Sequence, residues 1–296
     1  MKSGHRRFRW PALLGLALAA CSAVLVTYSL SNSLSPRLVH TEPSEFAPVL
    51  VIDEYGQRCM NFEKIKDRGR QTCFDVSDPD VMVFDYTRMM TSALFVKPDP
   101  RNVLMVGLGG GTIPIALAKI LPDAVVDTVE IDPAVLRVAE AYFGFKQGAR
   151  QRVFVGDGRA FIEKAQREGR TYDLVMLDAF DVDYIPAHLL TREFLQHLRA
   201  ILTPDGVVVA NTFTNSTMYE RESATYAAVF GEFFNLRAGN RVIIASRGPL
   251  PDDGVLKKNA AALAHALKPF GIDVERELQR FSRHRDWSAD ATVLTD

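Results

Sequence analysis

Apolar and polar positions divide the chain into four stretches of different rhythm. Residues 12–30 (ALLGLALAACSAVLVTYSL) are apolar and uncharged throughout, whereas residues 31–47 (SNSLSPRLVHTEPSEFA) are polar and contain two prolines. Residues 48–85 carry short alternating runs, PVLVIDEYG, QRCMNF, RQTCFDV and VMVFDY, separated by polar turns. Such runs predict strands of a small antiparallel unit. From Asp85 onward, strand-like runs NVLMVG (102–107), VVDTVEI (125–131), RVFVG (152–156), YDLVMLD (172–178) and GVVVANT (206–212) alternate with amphipathic stretches such as PAVLRVAEAYF and LTREFLQHLRAIL. Near-continuous apolar strands between amphipathic helices predict a parallel sheet covered on both faces. The tail adds RVIIASR (241–247), a helix near 254–268 and a closing strand-like segment. The expected class is α/β, a doubly wound sheet preceded by a small antiparallel β unit. Its expected divisions are an anchor or signal segment (1–30), a tether (31–47), a β-hairpin domain (48–85) and a Rossmann-like domain (86–296).

The first segment changes the picture most. Met1 to Trp10 holds Lys2, Arg6, Arg7 and Arg9 and no acid, and the 19 uncharged residues that follow span about 28 Å as a helix. A basic head before an apolar run is a membrane-targeting pattern. Two forms are open. One is an uncleaved transmembrane helix, favoured because residues 22–30 stay apolar. The other is a lipoprotein, since Leu18-Ala19-Ala20-Cys21 resembles a lipobox. Both put the basic head in the cytoplasm and the globular part outside it; a cytoplasmic globular part is the alternative. Cys59 and Cys73 sit on neighbouring strand-like runs, either bridged, as oxidising compartments permit, or as two small buried hydrophobes.

Composition mainly excludes. With 296 residues, 47% hydrophobic and 24% charged, the chain is globular, neither disordered nor polytopic. Lys and Arg number 35 against 36 Asp and Glu, so no basic excess points to nucleic acid. Three cysteines and six histidines without paired ligand spacing give no expectation of a metal site.

Candidate chemistry gathers at the ends of consecutive strands. The first ends in V-G-L-G-G-G-T, with Gly107, Gly109 and Gly111 allowing a tight turn against a ligand at a helix N-terminus. Thr112 stands where a dinucleotide fingerprint has its last glycine, which disfavours a dehydrogenase. The second strand ends in V-E-I-D-P, placing Glu130 where an acid accepts both ribose hydroxyls. The third ends in G-D-G, where Asp157 reads either as an acceptor for the adenine amine or as the N-cap of the next helix, beside Gly158. The fourth runs into L-D-A-F-D-V-D-Y, whose Asp178, Asp181 and Asp183 suit a cationic substrate such as a diamine. An adenosine-containing ligand is the expectation.

These motifs, with D-Y-T-R-M at 85–89, make the chain resemble the spermidine synthase (polyamine aminopropyltransferase) family from about residue 48 to the C-terminus. The resemblance implies a methyltransferase-like Rossmann core behind a β-hairpin domain. It implies transfer of an aminopropyl group from decarboxylated S-adenosylmethionine, a co-substrate rather than a tightly bound cofactor, to a diamine or polyamine. By the same resemblance Glu130 holds the ribose, Asp157 and Gly158 the adenine, Asp178 accepts the proton, Asp181 holds the diamine and Tyr86 stands at the gate. A homodimer is a separate expectation for the chain's partners.

Two departures stand out. Gly109 occupies the position of the acid in the family's G-G-G-D-G-G loop, and Arg88 replaces the acid of its Y-H/Q-E-M segment. Both favour a donor that keeps its carboxylate, S-adenosylmethionine, and with it a methyltransferase as the second function. A third is a non-catalytic extracytoplasmic module binding a nucleoside thioether or polyamine.

Overall fold

The computed structural model describes residues 36–63, 69–180 and 184–296. The expected anchor, Cys21 and the first residues of the expected tether lie outside this range. Among the described residues, no helix is long and apolar enough to cross a membrane.

Four strands, β1 (Arg37–Glu42), β2 (Val49–Glu54), β3 (Gln57–Phe62) and β4 (Thr72–Asp75), form an antiparallel sheet in chain order. Strands β2 and β3 are joined at Tyr55-Gly56, both with positive φ (51° and 78°), the turn whose twist matches a hairpin. Cys59 and Cys73 are direct cross-strand partners in the β3–β4 register and form a disulfide. Strand β1 corrects the sequence expectation, since it falls inside the segment read as a tether. It is an edge strand with no fully buried residue, so it lacks the apolar density that marks an inner strand.

A second correction concerns residues 81–86, read as a strand. Only Met82 makes a bridge, to Phe74, and the chain then enters helix α1 (Asp85–Thr91). That helix buries Met89 and Met90 completely beneath the larger sheet, and the packing decides its conformation.

The larger sheet has seven strands: β5 (Asn102–Val106), β6 (Val125–Glu130), β7 (Gln151–Val155), β8 (Tyr172–Leu177), β9 (Leu202–Phe213), β10 (Phe233–Arg237) and β11 (Asn240–Ser246). Their spatial order is β10-β11-β9-β8-β5-β6-β7. All the pairings are parallel except those of β11, which is antiparallel to both β9 and β10. Helices α2 (Thr112–Ile120), α3 (Pro133–Tyr142), α4 (Gly158–Arg167), α5 (Arg192–Ala200), α6 (Tyr219–Phe230), α7 (Asp253–Leu267) and α8 (Val274–Leu278) complete the α/β architecture. Two apolar clusters cover the two faces of this sheet. A third joins Val49, Val51 and Met60 of the small sheet to Val135 and Val138 of α3, fixing the small sheet against the Rossmann layer.

The closing segment, expected as a strand, is not one. Leu294 is buried, receives the Arg192 N–H on its carbonyl and donates its own N–H to Thr225, so the tail is held by helix groups instead of a sheet ladder. The order of the sheet matters for function. β6 lies on one side of β5 and β8 on the other, which opens a crevice at their carboxyl ends, where open α/β sheets hold ligands.

Candidate active site

A cavity of about 540 Å³ occupies that crevice, and the loops after β5, β6, β7 and β8 line it together with β4 and α1. The glycine loop enters it with φ of +95° at Gly107, +52° at Gly109 and +78° at Gly111, a sequence of left-handed residues that side chains disfavour. Gly107 is also pressed against the Asp178 backbone, so a Cβ there would overlap the Asp178 carbonyl. Gly158, at the start of α4, packs on the Val106 side chain, which a Cβ would overlap.

Glu130 closes the loop from β6. Its Oε2 accepts the Leu108 N–H at 2.8 Å and its Oε1 the Asp132 N–H at 3.0 Å. Burial raises its pKa, against those two amides. A carboxylate has about four acceptor positions, so with the Ile131 amide also on it at least one remains for a ligand hydroxyl.

Asp157 is the N-cap of α4 and at the same time a cavity residue. Its Oδ1 caps α4 by accepting the Ala160 N–H at 2.8 Å, and it still lines the cavity. Its Oδ2 lies 2.8 Å from Nε2 of His188. Burial works against ionisation there, but the Ala160 amide and His188 outweigh it and hold the carboxyl below its ordinary value.

Asp178 stands at the tip of β8 in the cavity wall. Its Oδ1 accepts the Nδ2–H of Asn211 on β9 at 2.9 Å, and the Tyr86 hydroxyl on α1 interacts with the same carboxylate. Burial raises its pKa to about 6, although Asn211 and Tyr86 both favour the charged form. Tyr86 is pushed well above the usual phenol value, first by burial and then by the Asp178 charge. A carboxylate that titrates near neutrality within a cavity is suited to proton transfer. Phe180 and Phe213 pack edge to face at 5.2 Å beside it and form an apolar wall.

The structure therefore brings Tyr86, Gly107, Gly109, Glu130, Asp157, Gly158 and Asp178 into one cavity. Gly111 caps α2 just behind its lining. Asp181 and Asp183 lie outside the described residues. The weight given to Arg88 is corrected: it is absent from the cavity lining, because its guanidinium turns back to Asp85 and to the Met82 carbonyl. Gly109 remains the one effective departure, and the nearest atom to a Cβ there is Thr72 Cβ at 3.9 Å, an open position.

Sequence reasoning missed three cavity residues. Asn211 interrupts the apolar run VVVANTF at the carboxyl end of a strand, and that was a readable signal. Asn240, whose Nδ2–H donates to Asn211 Oδ1 at 3.0 Å, and His188 gave none. His188 sits on a short 3-10 turn, Ala187–Leu189, that faces the cavity.

Sheet order, glycine loop and strand-tip acids define a methyltransferase-like Rossmann enzyme with an added N-terminal β-sheet. Residues 83–238 match the model of the spermine/spermidine synthase domain. The chain is 40% identical over 287 residues to a polyamine aminopropyltransferase of Vibrio vulnificus, covering 95% of each chain. A probable spermidine synthase from Corynebacterium glutamicum has the same fold (TM-score 0.63, 20% identity, 86% of this chain and 98% of that one). Human methyltransferase-like protein 13, solved in complex with SAH, superposes with a TM-score of 0.56 at 27% identity, over 70% of this chain and 96% of that one. The chain belongs to the spermine/spermidine synthase family and is a transferase of the polyamine aminopropyltransferase type.

Proposed function

We propose that this enzyme transfers an aminopropyl group from decarboxylated S-adenosylmethionine to an amine of a diamine or polyamine, with Asp178 as the proton acceptor. The observation that carries this reading is Asp178 itself, a carboxylate with a pKa of about 6, placed beside Tyr86 in the adenosyl-sized crevice. Glu130 takes the ribose hydroxyls, and Asp157 with Gly158 takes the adenine. The acceptor nitrogen attacks the carbon bonded to sulfur, the C–S bond breaks, and its electrons return to sulfur as methylthioadenosine leaves. The proton shed by the nitrogen passes to Asp178. Holding both substrates in line supplies much of the remaining acceleration. Asp181 is assigned to the second amine of the acceptor.

The test is an assay of the full chain with putrescine and either decarboxylated or intact S-adenosylmethionine, following methylthioadenosine and the amine product by mass. Aminopropylated product supports the reading. A methylated amine replaces it with methyl transfer, and no binding of either adenosyl compound removes both.

We further propose that residues 1–30 anchor the protein and that its globular part lies outside the cytoplasm. The basic-apolar N-terminus supports this, as does the Cys59–Cys73 disulfide, a bond that persists in oxidising compartments. Two free thiols at these positions, in protein trapped from its native compartment, would overturn the placement.

A further inference from the structure

Two neutral amides behind Asp178 form a directed chain. Asn211 on β9 is almost fully buried (3% exposed), and Asn240 opens β11. In the antiparallel β9–β11 register Asn211 opposes Val242 and Asn240 opposes Phe213, which makes the two asparagines diagonal neighbours on one face of the sheet. Asn240 Nδ2 donates to Asn211 Oδ1 at 3.0 Å, and Asn211 Nδ2 donates to Asp178 Oδ1 at 2.9 Å. An ionised carboxylate only accepts hydrogen bonds, so Asn211 must turn its amide nitrogen to Asp178 and its oxygen to Asn240. Asn240 supplies the donor that this orientation of Asn211 requires and so holds it in place.

We propose that Asn211, aligned by Asn240, is a positioning residue that reserves Oδ2 of Asp178 for the proton released by the acceptor amine. A proton on Oδ1 would set O–H against the N–H of Asn211, two donors facing each other with no acceptor between them. With the proton on Oδ2, Oδ1 still accepts from Asn211, and the chain is intact before and after proton transfer. The relay therefore selects one carboxylate oxygen, and so one direction of approach for the amine. The Tyr86 hydroxyl bonds the same carboxylate, and the amides add the one contact that is fixed to Oδ1. Tyr86 is the one titratable side chain acting on it among the described residues, the glycine loop after β5 contributes backbone, and Asp85 on α1 is turned to Arg88. This inference rests on Asp178 being the proton acceptor.

The test compares the full-length wild type with Asn211→Leu, close in volume but without an amide, and with Asn240→Ala. Three quantities are read: the 13C titration of the Asp178 carboxyl, the acid limb of kcat/KM for putrescine, and the calorimetric affinity for methylthioadenosine. Loss of the Asn211 donor removes a bond to the charged form, so the Asp178 midpoint is expected to rise by about one pH unit in Asn211→Leu. The acid limb moves with it and kcat falls about tenfold, while methylthioadenosine affinity stays within about twofold. Asn240→Ala shifts the midpoint in the same direction by less. An unchanged midpoint in an Asn211→Leu protein that binds methylthioadenosine normally overturns the proposal. So does a fall in kcat without a pH shift, which marks a merely structural role. Should Asn211→Leu fail to fold, an unchanged midpoint in Asn240→Ala overturns it equally. The carboxyl titration needs no turnover, so a wild type that transfers no aminopropyl group removes the proposed function and leaves the relay standing.

Discussion

Gly107 and Asp178 touch through their backbones. The Asp178 N–H donates to the carbonyl of Val106 at 2.8 Å, and Gly107 lies so close to the Asp178 carbonyl that any Cβ would overlap it. The glycine loop after β5 and Asp178 after β8 are thereby fixed to one another. A change in either moves the other, because no side chain lies between them to absorb a shift.

Gly107→Ala is accordingly expected to damage fold and site together. It places a methyl group against a backbone carbonyl and forces an L-residue to a φ of +95°. Overpacking and left-handed strain together cost about 3 kcal/mol or more. Thermal unfolding should show a clear drop in Tm, and calorimetry a loss of methylthioadenosine binding. An alanine variant with wild-type Tm and affinity would disprove the close approach.

Asp178→Asn separates stability from activity. Burial raises the folded-state pKa of Asp178 to about 6, above the ordinary carboxyl value, so between about pH 4 and 6 the folded state holds the proton more tightly than the unfolded state. The stability contributed by the protonated form is therefore present at low pH and lost as pH rises through 6. Asparagine removes that loss. The variant should be more stable than the wild type at pH 7 by about 1–2 kcal/mol, and no more stable at pH 4. Turnover should vanish at every pH with binding of the adenosyl ligand kept. In the wild type, activity should fall as pH drops below about 6. Wild-type turnover by Asp178→Asn would take Asp178 out of the mechanism.

Much of this site was legible because strand tips are legible. Glu130, Asp157 and Asp178 each end an apolar run, and the parallel sheet brings consecutive run-ends to one edge. Elements whose identity depends on long-range packing were harder to read. Strand β1 has an edge strand's weak pattern, and residues 81–86 alternate like a strand although burial of Met89 and Met90 draws the following residues into a helix. Arg88 illustrates the limit at the site itself. Its charge was readable in the sequence, but its turn toward Asp85 depends on a rotamer. Asn240 comes from the antiparallel strand that enters the sheet from the other end of the chain, and no local pattern announces its meeting with Asn211.

The disulfide should matter to the ligand loop as well as to the small sheet. Cys73 follows Thr72, whose hydroxyl lies 3.1 Å from that of Thr112 at the start of α2 and whose methyl backs Gly110. Closing 14 residues of sequence separation is worth about 3 kcal/mol. Reduction, or Cys59→Ser with Cys73→Ser, should lower stability by about that amount in a denaturant titration. On the proposed function it should also raise the KM for the aminopropyl donor more than that for the amine, because Thr72 of β4 lines the cavity beside the glycine loop. Equal KM changes for both substrates would confine the disulfide to a structural role.

Gly109→Asp tests the remaining departure directly. Its φ of +52° is one that aspartate tolerates better than most residues, and a Cβ there meets only Thr72 at 3.9 Å, an ordinary contact. The new carboxylate would line the cavity, where the primary ammonium of the proposed donor is its natural partner. A charge-assisted hydrogen bond contributes about 1.5 kcal/mol or more, so affinity for decarboxylated S-adenosylmethionine should rise about tenfold. Affinity for intact S-adenosylmethionine should not rise, because its own carboxylate would oppose the new one. Calorimetric titration with both compounds reads the ratio. A parallel change in the two affinities would mean that position 109 does not meet the donor's tail, and the cavity would have to hold the adenosyl group in another orientation.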